Sequence, residues 1–394
     1  MNKIKATLKW LAIILPASFL FLVAAVFVLP PPYAVNISLG DLIGGQTPED
    51  EQINSRLTLP DGFKVNLYTE GLKNARVMRL TQSGDLLVSQ PREGKVTLLG
   101  KDSNGDGKSD SRRTLIDKLH LPHGLALYKD WLYIAETDAI GRIGFNQSTG
   151  QTSGEYERII TDIPSAGMHW TRTIRFGPDG LLYLSIGSSC NVCVEEERLR
   201  STISRYQPDG SGHEIIATGL RNAVDFDWNN AGQLFATDNG RDLLGDNFPP
   251  DELNEIHPGG FYGWPLAHGD NRPDPDYGKG KESEISRAVK PVHKFRPHNA
   301  PLGITFYRGE AIPALENTAL VALHGSWNRS IKDGYEVVAL RWQGGRIWET
   351  PLLTGFEQDG GVIGRPAFIE QGPNGEIFIS DDYSGVVYRL TYNR

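Results

Sequence analysis

The stretch between Gly219 and Pro265 combines residue types that bind an anion beside a metal ion. It opens on Arg221 and Asn222 and continues through a loop rich in acids and glycines to the turn Gly-Gly-Phe-Tyr-Gly-Trp-Pro. Arginine and asparagine donate hydrogen bonds to anionic oxygens, whereas carboxylates and carbonyls are ligands for a hard cation such as Ca²⁺. Upstream, His169 in Gly-Met-His-Trp-Thr-Arg offers a general base near neutral pH.

The elements that must position these residues repeat along the chain. A phrase made of a turn, a short apolar strand, a polar loop and a second strand occurs six times, at 83–99, 129–145, 177–190, 230–242, 316–328 and 372–390. Most copies lie about 45–57 residues apart, which is typical of propeller blades. The sequence therefore predicts an all-β, six-bladed β-propeller, with residues 243–315 as an insertion at the fourth blade.

One end of the predicted channel should collect polar side chains from different blades. The residues that follow the first strand of each phrase are expected there: Gln90, Glu136, Ser188, Asp238, His324 and Asp381. Residues that precede inner strands are expected to point into the same mouth: His123, His169, Arg221, Asn222 and Arg365. A basic cluster on an acidic protein predicts a pocket for an anionic ligand. The alternative is that each arginine pairs with an acid of a neighbouring blade.

The first 30 residues form a segment apart from the predicted propeller. Lys3, Lys5 and Lys9 precede an uncharged run from Trp10 to Leu29, which prolines at 30–32 end. Such a run is just long enough to cross a bilayer as a helix, whereas a cleavable signal peptide, the alternative, normally has a shorter apolar core. We expect a transmembrane signal anchor at 1–30, a linker at 31–58 and an exported propeller at 59–394, on the periplasmic or extracellular face.

Net charge and cysteine content narrow the functional class. The 394-residue chain carries a formal charge of −8, which argues against a nucleic-acid partner. Its two cysteines, Cys190 and Cys193, have no second pair with which to form a structural zinc site. We predict a local disulfide in an oxidising compartment. A redox-active pair and two free thiols are the alternatives.

A second acidic loop, at residues 102–110, has the sequence Asp-Ser-Asn-Gly-Asp-Gly-Lys-Ser-Asp. Its acids have the spacing of a calcium loop, but Arg113 stands where an EF-hand has a bidentate glutamate. A structural Ca²⁺ site and an acidic hairpin turn are equally compatible with this pattern.

Four phrases together resemble a known family: HWTRTIRFGPDGLLYLSIG, GLRNAVDFDWNNAGQLFATDNG, DELNEIHPGGFYGWP and GRPAFIEQGPNGEIFISDDYSGVVYRL. They are similar to the glucose/sorbosone dehydrogenases, six-bladed propellers of the soluble type that use pyrroloquinoline quinone (PQQ). The resemblance covers roughly residues 58–392. The HGSWNR loop and the CNVC insertion favour the sorbosone-dehydrogenase-like branch.

The resemblance implies roles for residues around the cofactor. His169 matches the base that takes the proton from the substrate hydroxyl while hydride moves to the quinone. Arg221 matches the arginine that contacts the quinone oxygens, and Asn222 its cofactor-binding neighbour. Three further residues match cofactor-contacting positions: His123, Arg329 and Arg365.

The resemblance also implies two calcium sites. The backbone carbonyls of Gly240 and Arg241 match the ligands of the Ca²⁺ that holds PQQ. Asp251, Glu252 and Tyr262 match a second, structural Ca²⁺ site. The implied protein is a quinoprotein oxidoreductase that takes a sugar or polyol substrate and passes electrons to an external acceptor.

The chain departs from the family pattern at several places. Arg241 follows Gly240 where the family has a proline, and the loop from there to Asp251 is longer by several residues. Ser188 stands where the glucose branch has an acid behind the catalytic histidine, and Ala367 stands where a second cation accompanies Arg365. Two other functions therefore stay open. One is a calcium-dependent lactonase, with ligands drawn from Glu136, Asn222, Asp238 and Asp381. The other is a membrane-anchored binding propeller without catalysis.

Overall fold

The structure, a computed structural model, describes residues 35–37 and 44–393. In this part of the chain, six antiparallel sheets, each built from four blade strands, form a β-propeller, as predicted. No helix among the described residues is long and apolar enough to cross a membrane. The predicted anchor at 1–30 lies outside the described residues, so it stays a prediction.

The chain enters the propeller through a short helix. Helix α1 (Asp50–Arg56) lies within the stretch predicted as a linker and buries Ile53 against the core of the last two blades. Arg56 donates from Nη2 to the carbonyl of Gly361 at 2.7 Å. The second half of the predicted linker is therefore packed structure, and strand β1 (Phe63–Thr69) follows it.

The first three blades are consecutive four-stranded meanders. Blade 1 contains β2 (Met78–Leu80), β3 (Leu86–Gln90), β4 (Lys95–Leu99) and β5 (Arg112–Ile116). Blade 2 contains β6 (Leu125–Tyr128), β7 (Trp131–Ala135), β8 (Ile140–Asn146) and β9 (Gln151–Ile160). Blade 3 contains β10 (Arg172–Phe176), β11 (Leu182–Ile186), β12 (Thr202–Tyr206) and β13 (Glu214–Thr218). Short 3₁₀ turns occur at Pro91–Glu93 in blade 1 and at Pro313–Leu315 in blade 5.

Blade 4 is interrupted between its third and fourth strands. It begins with β14 (Ala223–Trp228), β15 (Leu234–Asp238) and β16 (Asp251–Ile256). An excursion at 257–292 holds β17 (Gly260–Phe261), β18 (Ala267–His268), β19 (Arg272–Pro273) and helix α2 (Glu282–Ile285). The chain then completes the blade with β20 (His293–Phe295). Strand β17 pairs in parallel with β13, so the excursion reaches back to blade 3.

The last two blades close the ring. Blade 5 contains β21 (Pro301–Phe306), β22 (Thr318–Leu323), β23 (Glu336–Gln343) and β24 (Arg346–Leu353). A small ribbon of β25 (Glu357–Gln358) and β26 (Gly361–Val362) leads on. Blade 6 contains β27 (Pro366–Gln371), β28 (Ile377–Asp381) and β29 (Val386–Tyr392), and β1 supplies its outer strand.

The insertion predicted at 243–315 was wrong in its bounds. Residues 251–256 and 293–295 are blade strands, and 301–306 is the inner strand of blade 5. The third strand of blade 4, Asp-Glu-Leu-Asn-Glu-Ile, does not alternate between apolar and polar residues. A strand covered on both faces need not alternate, and here polar residues are buried too: Asp251 is 1% exposed and Asn254 is 0% exposed.

Turns join the first and second strands of each blade, and in blade 5 a longer connection at 307–317 takes the place of a tight turn. Between the first and second strands, a residue in the left-handed region reverses the chain: Gly84, Lys129, Gly180, Gly232, Asn317 and Gly375. Four of these six residues are glycine, which adopts a positive φ without a Cβ clash. The recurring Gly or Asn before a short apolar strand thus has a conformational cause.

The acidic loop at 102–110 forms a turn closed by its own backbone. Asp102 accepts from the amides of Gly105 and Gly107 at 2.7 and 2.9 Å, and from Nη1 of Arg389 at 2.7 Å. These bonds engage both carboxylate oxygens within the turn and with blade 6. The structure therefore favours the acidic hairpin turn over a Ca²⁺ loop.

Ring closure gives a stability prediction. Leu390 is fully buried and lies on β29 between Val65 of β1 and Ile377 of β28. Leu390→Ala should lower the free energy of unfolding by about 2–5 kcal/mol, because it leaves a cavity at the closure. Denaturant unfolding of the variant measures this loss. Trp348→Ala, at a side chain 55% exposed, is the matched control, and an equal loss there would contradict the prediction.

Candidate active site

A cavity of about 220 Å³ opens between blades 3, 4 and 5, at the end of the channel where the inner strands begin. Its lining comes from the loops before these strands and after the second strands: Met168, His169, Arg221, Asn222, Asn239, Gly240, Asp242, Asp251, His298, Ala300 and Trp327. The structure thus brings His169, Arg221 and Asn222 together, with Gly240 and Asp251 beside them.

The imidazole of His169 is oriented by Ser188. Its Nδ1 lies 2.9 Å from both the carbonyl oxygen and the hydroxyl oxygen of Ser188. The Ser188 hydroxyl donates to the carbonyl of Cys190 at 2.7 Å. Both Ser188 oxygens are therefore acceptors, which places the proton on Nδ1 and leaves Nε2 as the basic nitrogen. Ser188 thus supplies the orientation that a carboxylate supplies in the glucose branch.

Two buried arginines hold the backbone of this histidine. Arg172 donates to the carbonyl of His169 at 2.9 Å, and Arg200 donates to the same oxygen at 3.3 Å. Burial, together with the nearby charges of Arg221, Arg200 and Arg172, lowers the pKa of His169 to about 3. The imidazole is therefore neutral across the physiological range.

Arg221 is fixed on all sides of its guanidinium. Nε and Nη2 donate to the backbone and side-chain oxygens of Asn191, both at 2.9 Å. Nη2 also donates to Asp242 at 2.7 Å, and Nη1 to the carbonyl of Asn239 at 3.2 Å. The side chain is 5% exposed. Its position is thus set by two loops rather than by its own rotamer preference.

One of these loops is closed by a disulfide. Cys190 and Cys193 are bonded, which confirms the predicted pairing. Asn191 lies inside this four-residue ring and also accepts from the amide of Asp242 at 2.9 Å. The disulfide therefore restrains the residue that links Arg221 to the loop at 239–242.

Asn222 presents an acceptor without a partner. The backbone N–H groups of Asn222 and Arg221 donate to the carboxylate of Asp238, at 2.6 and 3.0 Å respectively. Its side-chain Oδ1 is buried and has no hydrogen-bond partner within the described residues. Gly187 permits this arrangement, because a Cβ there would lie 2.5 Å from Oδ1 of Asn222. A buried orphan acceptor beside a cavity suits a ligand donor or a cation.

Gly240 and Arg241 lie where a metal-binding backbone is predicted, but only Gly240 lines the cavity. The Arg241 side chain turns away and pairs with Asp274 and Asp276, both at 2.6 Å, in the blade 4 excursion. The amide of Gly240 donates to Asp251 at 2.7 Å. The ion pairs of Arg241 thus tether this backbone from behind.

The structure does not bring Asp251, Glu252 and Tyr262 together as one calcium site. Asp251 and Glu252 are consecutive on β16 and point to opposite faces, since strand side chains alternate. The Tyr262 hydroxyl donates to the carbonyl of Glu255 at 2.7 Å, about 13 Å along the strand from Asp251 at ~3.3 Å per residue. Three ligands of one cation cannot be this far apart.

Buried carboxylates nevertheless gather beside the cavity. Asp238 faces Glu252 across β15 and β16. Burial, together with repulsion from neighbouring carboxylates, raises the pKa of Asp238 to about 7, of Asp251 to about 6 and of Glu252 to about 8. A divalent cation nearby would favour their charged forms.

Three predicted cofactor residues do not line the cavity. His123 is fully buried, with Nδ1 3.1 Å from the carbonyl of Arg172 and its ring packed edge-on to Trp170. Arg365 donates to the carbonyls of His324 and Gly325 at 3.0 and 2.6 Å.

The third of these residues, Arg329, supports a loop. Its Nη1 donates to the carbonyl of Asp246 at 2.7 Å and to that of Pro297 at 3.1 Å. It thereby joins the loops of blades 4 and 5 around the cavity.

Six residues that follow the first strand of each repeated phrase are predicted at the channel mouth: Gln90, Glu136, Ser188, Asp238, His324 and Asp381. All of these described residues lie at the end of the channel where the inner strands begin, but none of them lines the cavity. They shape it from behind. Glu136, for example, is bound to Arg158 and to the Tyr156 hydroxyl at 2.9 and 3.0 Å, and His324 pairs with Asp382 at 2.7 Å. Glu136 is thus held within blade 2, and His324 by an acid of blade 6; neither contact is the pairing of an arginine with an acid of a neighbouring blade.

Comparison with known proteins places the chain in a family. A family model described as TrAA12-like matches residues 57–260 and 277–393. The chain belongs to the TrAA12-like family. A PQQ-dependent pyranose dehydrogenase of Coprinopsis cinerea is 23% identical over 86% of the chain, which spans 55% of that relative's length. A protein of Borreliella burgdorferi without an assigned function is 29% identical over 90% of the chain and 95% of its own length.

Solved structures share the fold of this TrAA12-like chain. The holo PQQ domain of the Coprinopsis cinerea pyranose dehydrogenase has a TM-score of 0.75 at 23% identity, covering 85% of this chain and 97% of the domain. The PQQ-bound aldose sugar dehydrogenase of Streptomyces coelicolor has a TM-score of 0.61 at 22% identity, covering 85% and 100%. The predicted resemblance to PQQ-dependent sugar dehydrogenases is confirmed, whereas the sorbosone branch stays a prediction.

Sequence reasoning missed several residues of the TrAA12-like site, above all His298. This histidine precedes β21, the inner strand of blade 5, just as His169 precedes that of blade 3. Applying the same positional rule to Arg-Pro-His-Asn-Ala-Pro would have found it. Asn191 and Asp242 carried no comparable signal, because their roles arise from the packing of two loops.

The Asn191 contacts lead to a prediction. Asn191→Ala should lower the free energy of unfolding by about 1–3 kcal/mol, because Arg221 and the amide of Asp242 lose a buried acceptor. Thermal and denaturant unfolding measure the effect. Asn230→Ala, at an exposed asparagine by the opposite end of the channel, is the matched control. Equal stability of the Asn191 variant and the wild type would contradict this account.

Proposed function

We propose that this protein is a PQQ- and Ca²⁺-dependent dehydrogenase that oxidises a hydroxyl or hydrated aldehyde of an aldose, a sorbosone-like sugar or another polyol. The observation that carries the proposal is the free Nε2 of a neutral His169 on the cavity that Arg221 and Asn222 also line. Relatives named as PQQ-dependent pyranose dehydrogenase and aldose sugar dehydrogenase support it.

The residues present fit an anionic cofactor held beside a cation. PQQ carries several carboxylates, so its binding needs cationic donors and metal ions. Arg221 supplies a fixed positive charge, and the orphaned Oδ1 of Asn222 supplies an acceptor for a donor group or a cation. Gly240 and Arg241 would offer backbone carbonyls to Ca²⁺, close to the buried carboxylate of Asp251.

The chain's own contribution is proton transfer and electrostatics. When bound, PQQ supplies a quinone that accepts hydride from the substrate carbon. His169 takes the hydroxyl proton at Nε2, and Ser188 holds the imidazole in that tautomer. Arg221 stabilises negative charge that develops on the acceptor oxygens, and it costs no reorganisation because its guanidinium is already fixed. An external acceptor then removes the electrons.

The cofactor roles of His123, Arg329 and Arg365 remain predictions of weaker standing. Each of these side chains is engaged with protein carbonyls outside the cavity. Contact with a cofactor at His123 and Arg365 would require it to extend across the channel towards blades 2 and 6.

The lactonase alternative lacks a ligand set at this cavity. Glu136, its required carboxylate, is held by Arg158, Tyr156 and the amide of His120. Asp381 caps a turn by accepting from the amides of Tyr383 and Ser384 at 2.9 and 3.0 Å. Asn222 and Asp238 alone do not hold a catalytic Ca²⁺.

Calorimetric titration of PQQ into the purified full chain in the presence of Ca²⁺ tests the proposal. We expect saturable binding that a chelator abolishes and that Arg221→Ala weakens by at least tenfold, because a charged hydrogen bond is worth about 1.5–3 kcal/mol. Asn230→Ala serves as the control. No binding by a folded protein, or hydrolysis of lactones without quinone, would refute the dehydrogenase.

Replacing the proposed base separates binding from catalysis. His169→Asn should keep PQQ affinity while lowering kcat by about 10²–10⁴-fold, because only proton abstraction is lost. Dye reduction with a panel of aldoses and polyols measures the rate. Unchanged turnover in this variant would favour a different base, and absence of turnover in the PQQ-loaded wild type with all sugars would favour the non-catalytic binding propeller.

The lowered pKa of His169 predicts the pH profile. A base with an ordinary histidine pKa would lose activity below about pH 6.5. Since the folded protein holds the pKa of His169 at about 3, the acid limb of kcat/KM should lie well below that pH. The free energy of unfolding should change in the same direction. As the pH falls, His169 takes up a proton in the unfolded chain before it does so in the folded protein, so the free energy of unfolding decreases between about pH 6.5 and about pH 3. A limb centred near the ordinary value would contradict this environment.

A further inference from the structure

Exposed apolar side chains gather around the cavity mouth. Seven large apolar residues of the described chain are prominently exposed, and five of them lie on the loops that surround the cavity: Met168, Val194, Leu243, Trp327 and Ile331. Their exposed fractions run from 38% at Trp327 to 75% at Ile331. We call these five residues the mouth surface. Apolar groups concentrated at one site, rather than scattered singly, mark an interaction surface.

Hydrogen bonds connect the loops that carry the mouth surface. The amide of Leu243 donates to Oδ1 of Asn328 at 2.7 Å, and Asn191 donates to the carbonyl of Asp242 at 3.1 Å. The amide of Met168 donates to the carbonyl of Ser189 at 2.8 Å. These bonds connect the loops of blades 3, 4 and 5, so the five residues lie on neighbouring loops at the same end of the channel.

The N-terminal segment lies on this same surface. The amide of Asn36 donates to the carbonyl of Trp327 at 2.9 Å, and its side chain donates to the carbonyl of Ser330 at 3.3 Å. The uncharged run in the sequence ends at Leu29. Asn36 is seven residue steps from Leu29, which span at most about 25 Å at ~3.6 Å per residue. A membrane span at this run would therefore keep the cavity mouth beside the bilayer.

Charge around the mouth surface indicates how it would contact lipid. Glu196 and Glu197 are exposed close to Val194, and Asp246 binds the amide of Ser330 beside Ile331. This surface is not a basic patch that anionic headgroups would attract. Binding to lipid would instead be favoured by insertion of the Trp327, Leu243 and Ile331 side chains into the membrane interface, next to the N-terminal segment.

We propose that the mouth surface rests on a lipid bilayer, so that the cavity opens towards the membrane interface rather than towards bulk water. The occupant is the membrane in which the predicted anchor lies. The placement is independent of the cofactor, so it holds or fails separately from the proposed dehydrogenase activity.

Site-specific labelling of the full chain in lipid vesicles tests this. A fluorophore on Ile331→Cys probes the mouth surface, and one on Asn230→Cys probes the opposite end of the channel. The two native cysteines are bonded to each other and do not compete for label. With headgroup-labelled quencher lipids, we expect severalfold stronger quenching at 331 than at 230.

The other outcomes overturn the proposal. Equal quenching at both positions means that the propeller has no preferred face, and failure of the chain to float with vesicles means that it is not held at a membrane. Shielding of the 331 label that depends on protein concentration and not on lipid identifies a second copy as the occupant. Unfolding curves that match the wild type confirm that both labelled variants are folded.

Discussion

Pairing of β1 with β29 makes the molecule a ring, and the geometry of the site depends on that ring. Once blade 6 is complete, every inner strand starts at the same end of the channel. Loops as far apart in sequence as those before Arg172, Ala223 and Pro301 then meet at one cavity. An open array of blades could splay, and the distance between His169 and the loops of blades 4 and 5 would not be set. Strand pairing at the outer edge of blade 6 thus fixes the relative positions of the side chains that line the cavity.

Within that frame, the site balances buried charges of opposite sign. Arginines surround His169 and favour its neutral form, whereas carboxylates beside Gly240 repel one another and favour protonation. Asp238 connects the two regions, because its oxygens accept from the amides of Arg221 and Asn222 while its charge opposes that of Glu252. An anion near the arginines and a cation near the carboxylates would offset the like-charge repulsion in both regions. The electrostatics of the site therefore suit the anion and the cation that the proposed function requires.

The sequence predicted the fold well because a propeller repeats a local signal. Turn residues such as Gly180 and Gly375 mark each blade independently of its neighbours. It also located His169, Arg221 and Asn222, which the positional rule places at one mouth. It could not distinguish a side chain that enters the cavity from one that supports it, since Arg365 and Arg221 occupy similar positions and differ only in the loops they meet. Helix α1 was missed because one buried residue, Ile53, gives no periodicity.

The bond between Cys190 and Cys193 has a consequence for where this protein can mature. The two cysteines lie in a loop between β11 and β12 and take no part in strand pairing, so the blades can form while the thiols are reduced. The ring that contains Asn191 forms only where thiols are oxidised, and Arg221 depends on that ring for two of its hydrogen bonds. A chain produced in a reducing cytoplasm would keep its blades yet lack the restraint on its principal cation. Formation of the blades and closure of this ring are thus separate events, and the second needs oxidising conditions.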